Sequence, residues 1–422
     1  MKHRNIAQYF VLLMAVLLTL SCASESDNPA MSYKDLEKGT VTAYSDGMAS
    51  ALAGVESYYY VYTPAGYDSL RTEPYPLLVL LNGYNESGDY FYKSCSVTAL
   101  ADEMIAAGDI EPMVLLLPNG KNNLGGTFYT NSTHLKVEDS YDHLQDLIDY
   151  TQSYYNVSTE FGEMGIGGFC MGGFGAVKTA LETGDYGSVS SVAGPLSLVR
   201  LLDQSAIDRI CEVVGYQPAI GEITDSVETR FRYSFSNYYY SRVTSDSDSL
   251  FAKMILAMSA AFSPTERASG NYVVTNTTLT NLVVSIDSET GLPVYDRNSP
   301  VFIDLPFGAD GQIDNATFSR WLENDPHTLL SGSLFQNLAN ASLFLSHGDS
   351  DEFIQPEITE SFVSGPVVDS SLPDGYLQVS GSEPDYYDIY SAIAGYTADH
   401  SSLNYEELRK ILLFHDSVFR DN

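Results

Sequence analysis

Six residues near the middle of the chain, Gly168-Phe169-Cys170-Met171-Gly172-Gly173, constrain its fold more than any other stretch. A short apolar strand, Gly165–Phe169, ends there, and a glycine- and alanine-rich helical segment, Phe174–Leu181, begins almost at once. A chain that passes from strand to helix this abruptly leaves no room for a Cβ two positions before or after the bend. Gly168 and Gly172 occupy those two positions. Cys170 is thereby pushed out of the turn. The helix opening at Met171 aims the positive end of its dipole at the sulfur and offers the Met171 N–H to a developing oxyanion.

Such a bend needs a buried parallel sheet beneath it, and the surrounding sequence supplies one. Thr40–Tyr44 and Tyr58–Tyr62 read as early strands, the second closing at the turn Pro64-Ala65-Gly66-Tyr67-Asp68. Leu77–Leu81 ends at Asn82-Gly83 and Met113–Leu117 at Pro118-Asn119-Gly120; both are continuous apolar runs bounded by turn formers, as strands buried on two faces are. Between them Val97–Ala107 has helical spacing, with Ser96 as its expected cap and Gly108 as its stop. A longer helix is expected over about Tyr141–Tyr155, where Leu144, Leu147, Ile148 and Tyr155 recur at helical spacing.

Strand and helix alternate again through Val189–Val192 and Leu343–Ser346, so the fold class is α/β, a doubly wound and mostly parallel sheet. The alternation breaks over residues 197–339, too long for one crossover. This stretch is expected to be a cap inserted over the strand C-terminal ends, dividing the core into 37–196 and 340–422. Within it, Tyr272–Val274 and Leu282–Ile286 read as a hairpin, and Leu250–Ala261 and Phe318–Leu330 as helices.

The chain opens on Lys2, His3 and Arg4, followed by Phe10–Leu20, which is apolar but short for a bilayer span; this is the layout of a secretory signal. It ends in Leu18-Thr19-Leu20-Ser21-Cys22, which resembles a bacterial lipobox, with Thr19 where leucine is usual. Residues 1–21 are then a lipoprotein signal, Cys22 the lipidated residue and 22–36 a polar tether, which places the protein in the bacterial cell envelope outside the cytoplasm. Loss of Lys2 and Arg4 with that signal takes the formal charge from −34 to −36. So acidic a body repels phosphate backbones and anionic lipid headgroups, which excludes nucleic acid as an expected partner and leaves the lipid anchor as the expected membrane contact. With Cys22 acylated, Cys95, Cys170 and Cys211 remain, and pairing of Cys95 with Cys211 would leave Cys170 as the free thiol.

In a sheet of this kind the nucleophile is followed along the chain by an acid and then a histidine. The loop His347-Gly348-Asp349-Ser350-Asp351-Glu352, after the strand Leu343–Ser346, offers acids at the sheet's C-terminal edge. Beyond it stand His400 and His415. His415 falls in Glu406–Phe419 among Leu408, Ile411, Leu412, Phe414 and Val418, where a packed or solvated helix position is its expected fate. His400 sits in a loop between a last strand expected at Tyr387–Tyr396 and the final helix, as a general base would. No metal-ligand cluster, phosphate loop or dinucleotide glycine pattern occurs in the sequence, so no cofactor is expected.

Val61–Tyr67 (VYTPAGY), Tyr75–Tyr84 (YPLLVLLNGY), Leu117–Gly120, Gly168–Gly173, Gly348-x-x-Asp351 and Asp399-His400 together resemble the Putative esterase family of α/β-hydrolases, which includes feruloyl esterases and S-formylglutathione hydrolase. The resemblance spans most of residues 55–420 outside the cap. It implies Cys170 as nucleophile, Asp351 rather than Asp349 as the acid, and His400 as the base. Two positions depart from the family pattern. Asn82 stands where histidine is usual, which leaves the second oxyanion donor to a backbone N–H near Gly83 or Tyr84. Cys170 stands where serine is usual, although the elbow of dienelactone hydrolase, a much shorter α/β-hydrolase without such a cap, is similar to Gly-Phe-Cys-Met-Gly-Gly. The implied activity is cleavage of a carboxylic ester, with thioester or lactone behind it, on a small-molecule or carbohydrate-linked substrate. The competing reading is a catalytically silent surface lipoprotein that uses the hydrolase scaffold for binding. Tyr233, Tyr238, Tyr239, Tyr240 and Trp321 of the cap are candidates for stacking on a sugar or aromatic acyl group, although core or surface packing is the commoner role of such residues.

Overall fold

The computed structural model describes residues 36–45, 58–122, 124–132, 140–219 and 405–421, and 223–364 apart from 225, 229, 232–233, 235–246, 266–271, 275–281, 287–292, 297–300, 331–332 and 349–350. The expected signal, the expected tether up to residue 35, Tyr233, Tyr238–Tyr240, the strand expected at Tyr387–Tyr396, Asp349 and His400 all lie outside those residues.

The main sheet is built from β1 (Thr40–Ser45), β2 (Tyr58–Thr63), β3 (Leu77–Leu81), β4 (Val114–Leu117), β5 (Met164–Phe169), β6 (Ser188–Val192) and β7 (Ser342–Ser346). Their spatial order is β1-β2-β4-β3-β5-β6-β7. β1 and β2 join antiparallel at one side, and every pairing from β4 to β7 is parallel. All residues of β3, β4, β5 and β6 are buried, which explains why those strands read as unbroken apolar or small-residue runs rather than as alternation.

Among the described residues the α-helices of five or more residues are α1 (Val97–Ala107), α2 (Ser140–Tyr154), α3 (Met171–Thr183), α4 (Gln204–Val214), α5 (Ser247–Phe262), α6 (Asn315–Leu322), α7 (Pro326–Leu330), α8 (Glu357–Ser364) and α9 (Tyr405–Arg420). On β5 and β6 the pleat sends alternate residues to opposite faces. Ser188, Ser190, Gly165 and Gly167 face α9, whereas Gly168 and Ser191 face α3. Beside α3 lies α2, with the Lys178 ammonium 5.2 Å from the Tyr141 ring. Next to α9 lies α1, where Arg409 pairs with Asp109 at 2.6 Å. The sheet is therefore covered on both faces, as a doubly wound fold requires.

Three expectations need correction. Ser96 does not cap α1 with its side chain; it adopts a left-handed conformation (φ 56°), and its carbonyl accepts from the Ala99 and Leu100 N–H groups instead. Tyr272–Val274 pairs with Val301–Ile303, and Leu282–Ile286 pairs with Pro293–Asp296, so the expected hairpin is two separate pairings. The helix expected over Phe318–Leu330 divides into α6 and α7, because Pro326 cannot continue a helix from behind and the Asp325 carboxylate accepts from Thr328 to open the next one. The Cys95–Cys211 pairing that the sequence leaves open does not form: both are free thiols.

The inserted stretch packs on the loops beyond the strand C-terminal ends. Phe251, early in α5, meets Phe353 after β7 with ring centroids 5.8 Å apart. Phe262, at the other end of α5, meets Phe128 in the segment after β4 and Phe174 on α3, each at 5.8 Å. Trp321 is fully buried against Phe262 and donates its indole N–H to Ser263 Oγ at 2.9 Å, so of its two expected roles it has the packing one.

Candidate active site

Between β5 and α3 there is a single residue, Cys170, which makes the whole turn at φ 53° and ψ −117°. Positive φ is rare for a residue with a side chain and marks a bend that its surroundings enforce. Those surroundings are visible. The Cys170 N–H donates to the Val192 carbonyl of β6 at 2.8 Å, and its own carbonyl accepts from Phe174 N–H at 3.1 Å. A Cβ on Gly172 would lie 1.8 Å from the Leu81 carbonyl oxygen, and one on Gly168 would lie 2.3 Å from the Gly172 carbonyl carbon. Both glycines are thus required by backbone, which cannot step aside. Met171 is the first residue of α3, so its N–H has no acceptor within the helix.

The loop after β3 flanks the same point. A Cβ on Gly83 would stand 3.4 Å from Cys170 Cβ and 3.0 Å from the Phe169 ring, so only a glycine backbone runs this close to the bend without displacing the ring. Asn82, buried beneath this loop, is a brace. Its amide nitrogen donates to the carbonyls of Gly83 (3.1 Å) and Glu86 (2.7 Å), and its side-chain oxygen accepts from Gly120 N–H (2.9 Å) and the Tyr129 hydroxyl (3.0 Å). With both amide hydrogens committed to shaping the loop, the side chain at the family's histidine position is engaged elsewhere. Tyr84 is fixed by its hydroxyl on the Leu124 carbonyl at 2.9 Å and by its ring against Phe128 at 6.2 Å.

Sequence reasoning missed Tyr90 and Glu86. The Tyr90 ring stacks on Phe169 with centroids 6.0 Å apart, one residue from the nucleophile candidate. Burial raises its hydroxyl far above the ordinary phenol range, with Cys95, Glu86 and Cys170 adding to the rise. Glu86 is also raised, by burial first, against the opposing pull of Lys121. The signal for both was their place in the first loop after β3, at the sheet's C-terminal edge. Burial pushes the other two thiols up, Cys95 to about 11 and Cys211 to about 12, the latter with help from Asp208.

Beyond β7 the Asp351 carboxylate is buried. Its Oδ1 accepts from the N–H groups of Phe353 (2.8 Å) and Ile354 (2.9 Å), and Oδ2 lies 3.2 Å from His347 Nε2. Hydrogen bonds between strand ends link this loop to the bend. Cys170 N–H reaches Val192 on β6, and Ala193 N–H, at the end of β6, reaches Ser346 on β7 at 2.8 Å. Of its two expected fates, packed or solvated, His415 has the packed one. The ring is fully buried under β5, in space left by Gly165 and Gly167, with Nδ1 2.7 Å from Ser188 Oγ and Nε2 2.9 Å from Ser190 Oγ. Burial lowers its pKa to about 3, so it is neutral at physiological pH.

The chain is similar to known proteins. Esterase Rv1288 of Mycobacterium tuberculosis (strain ATCC 25618 / H37Rv) is 29% identical over 140 residues, which is 32% of this chain and 28% of that protein. The chain thus spans under a third of the length of the first curated relatives it matches. Among solved structures, a ferulic acid esterase has 14% identity and a TM-score of 0.46, the alignment covering 90% of this chain and 99% of that one. An S-formylglutathione hydrolase from Agrobacterium tumefaciens has 13% identity and a TM-score of 0.42, with 78% and 84% covered. The family model described as Putative esterase matches residues 50–392, most of the chain and all of the loops just described, and the chain belongs to that family.

Proposed function

We propose that this protein hydrolyses a carboxylic ester through a covalent acyl–enzyme, with Cys170 as nucleophile, His400 as general base and Asp351 as the acid that orients it. The observation that carries this reading is the enforced conformation of Cys170 at the β5–α3 bend, with Gly83 alongside. His400 takes the Cys170 Sγ proton as the sulfur attacks the ester carbonyl carbon. The carbonyl electron pair moves to oxygen, where the N–H of Met171 and that of Gly83 or Tyr84 hold it. Each such donor contributes about 2.7–4 kcal/mol in comparable sites. Collapse expels the alcohol, which leaves with the proton from His400, and a thioester remains on Cys170. Water then attacks that thioester, gives its proton to His400, and the acid departs as the thiol is restored.

The substrate class is a small-molecule or carbohydrate-linked ester. Residues 197–339 serve as a cap, supported by the packing of α5 on Phe353 and Phe128. The protein acts outside the cytoplasm on a lipid anchor at Cys22, supported by the Ser21-Cys22 junction after the apolar segment.

A panel of chromogenic esters and thioesters tests the activity. Cys170→Ala should abolish turnover, and Asp351→Asn and His400→Ala should each lower it by orders of magnitude. Iodoacetamide should modify Cys170 ahead of Cys95 and Cys211, with activity lost in parallel. Full activity in Cys170→Ala would refute the nucleophile assignment, and absence of turnover on every ester would favour the binding scaffold.

A further inference from the structure

We propose that the outer face of α2 is a carbohydrate-binding surface, separate from the Cys170 bend, that takes a neutral polysaccharide chain on the exposed rings of Tyr150 and Tyr154. The two rings, one helical turn apart, stack on each other with centroids 5.0 Å apart and planes inclined by 19°. Tyr154 is 68% exposed and Tyr150 39%. A large ring alone on a surface is ordinary, whereas a contiguous group of exposed rings points to recognition. This group is contiguous. Tyr150 meets the Tyr44 ring of β1 edge-on at 6.1 Å, and Tyr44 stacks at 5.1 Å on Tyr59, its register partner on β2. Tyr154 lies 6.5 Å from Tyr155, whose hydroxyl is 2.6 Å from that of Tyr44. The surface stands apart from the bend: α2 ends just before β5, at whose other end Cys170 sits, and in the order β1-β2-β4-β3-β5 the first strand is about 19 Å from the last at ordinary strand spacing.

The inner rings give the outer two a fixed base. Tyr59 is buried, and Tyr155 packs at 6.2 Å on Tyr67, whose hydroxyl accepts from Asn156 N–H at 2.7 Å. A platform already held in place loses little freedom when a ligand lands on it. The chemistry around it selects the ligand. A pyranose presents C–H groups on a flat face and hydroxyls at its edge, so it calls for an open ring face with hydrogen-bonding groups at the rim. The exposed positions of α2 are Asp142, Asp146, Asp149, Tyr150, Ser153 and Tyr154, which is rings and polar groups with no aliphatic side chain among them. An apolar protein partner has nothing there to bury. Neither α2 nor β1 contains a Lys or Arg, so phosphate, sulfate or uronate groups would meet no counter-charge, and a formal charge of −34 repels such polymers and a second copy of the chain alike. A cationic partner would be drawn to acids over the whole body. What sets this face apart is its stacked neutral rings, and a neutral glycan is what they fit.

The test is affinity electrophoresis of the full chain through gels containing xylan, hydroxyethylcellulose or galactomannan, with polygalacturonate and polylysine gels as the anionic and cationic alternatives. At least one neutral polymer should retard the protein, and polygalacturonate should not. Tyr154→Ala and Tyr150→Ala should each weaken that binding about three- to tenfold, the worth of one aromatic contact, and the double variant should migrate as if the polymer were absent. Tyr154→Phe keeps the ring and should keep most of the binding. Thermal unfolding of Tyr154→Ala should stay near the wild-type midpoint, because an exposed side chain is what it removes. If Tyr150→Ala loosens the fold by withdrawing a ring from Tyr44, Tyr154→Ala decides alone. Turnover of a small chromogenic ester should match the wild type in every variant, and the binding result stands whichever residue proves to be the nucleophile. Retardation by none of the neutral polymers, retardation by polylysine alone, or undiminished binding in Tyr154→Ala would overturn the proposal.

Discussion

His415 should make this protein's stability depend on pH in a way that one substitution removes. Its ring is completely buried, bonded at both nitrogens to Ser188 and Ser190, and its pKa is lowered by burial from an ordinary 6.5 to about 3. Between those two values the unfolded chain carries a proton on the ring that the native chain refuses. The unfolded state binds more protons there, so this group's effect on stability is nil above pH 6.5 and increasingly unfavourable as pH falls toward 3. The slope is about 1.4 kcal/mol per pH unit, which gives a loss of roughly 2 kcal/mol on going from neutral to about pH 5. His415→Gln keeps a donor and an acceptor for the two serines and takes up no proton. Urea unfolding of both proteins at about pH 7.5 and about pH 5 isolates the effect, because every other titrating group cancels in the difference. The wild type should lose roughly 2 kcal/mol relative to His415→Gln over that interval. A difference that stays constant with pH would refute the assignment of His415 as a buried neutral group.

Two further perturbations follow from geometry and from sequence. Gly172→Ala would force a Cβ to within 1.8 Å of the Leu81 carbonyl oxygen, so it should destabilise the protein by about 3 kcal/mol or more and abolish turnover; thermal unfolding at the wild-type midpoint would contradict the elbow sterics. Cells making the native chain should hold it in the membrane fraction and label it with a fatty-acid analogue, and Cys22→Ala should release it; an unlabelled, wholly soluble native protein would refute the anchor.

The strands and the bend were legible because burial on both faces leaves few residue types to choose from. Leu77–Leu81 is an element end to end in sequence and structure alike, and the glycines around Cys170 are dictated by contacts under 3 Å that no side chain survives. Elements whose partners are set by tertiary context were harder to read. Leu282–Ile286 finds its partner beyond Asp287-Ser288-Glu289-Thr290-Gly291, a run of turn formers on the side opposite to the expected hairpin. Ser96 has a good capping side chain, yet its backbone adopts a left-handed turn out of the preceding segment, and the hydroxyl is not aimed at the helix. At the candidate site, the place of Cys170 on the strand-to-helix bend could be read from the motif. The bracing role of Asn82 could not, since a polar residue after a strand looks the same whether it faces substrate or folds back on Gly120 and Glu86.

The backbone of Cys170 has an evolutionary corollary. A side-chain-bearing residue at φ 53° sits about 1–3 kcal/mol above what glycine, free of a Cβ, would require at the same dihedrals. Replacement by glycine is therefore a downhill step for folding and a dead end for chemistry. A lineage released from catalysis would drift toward that replacement, trading an unused thiol for a firmer fold. This chain has Gly168, Gly172 and Gly173 crowded around the bend and still keeps sulfur at its apex. On the proposed mechanism, the backbone cost of a side chain at this apex is offset by the nucleophile it carries.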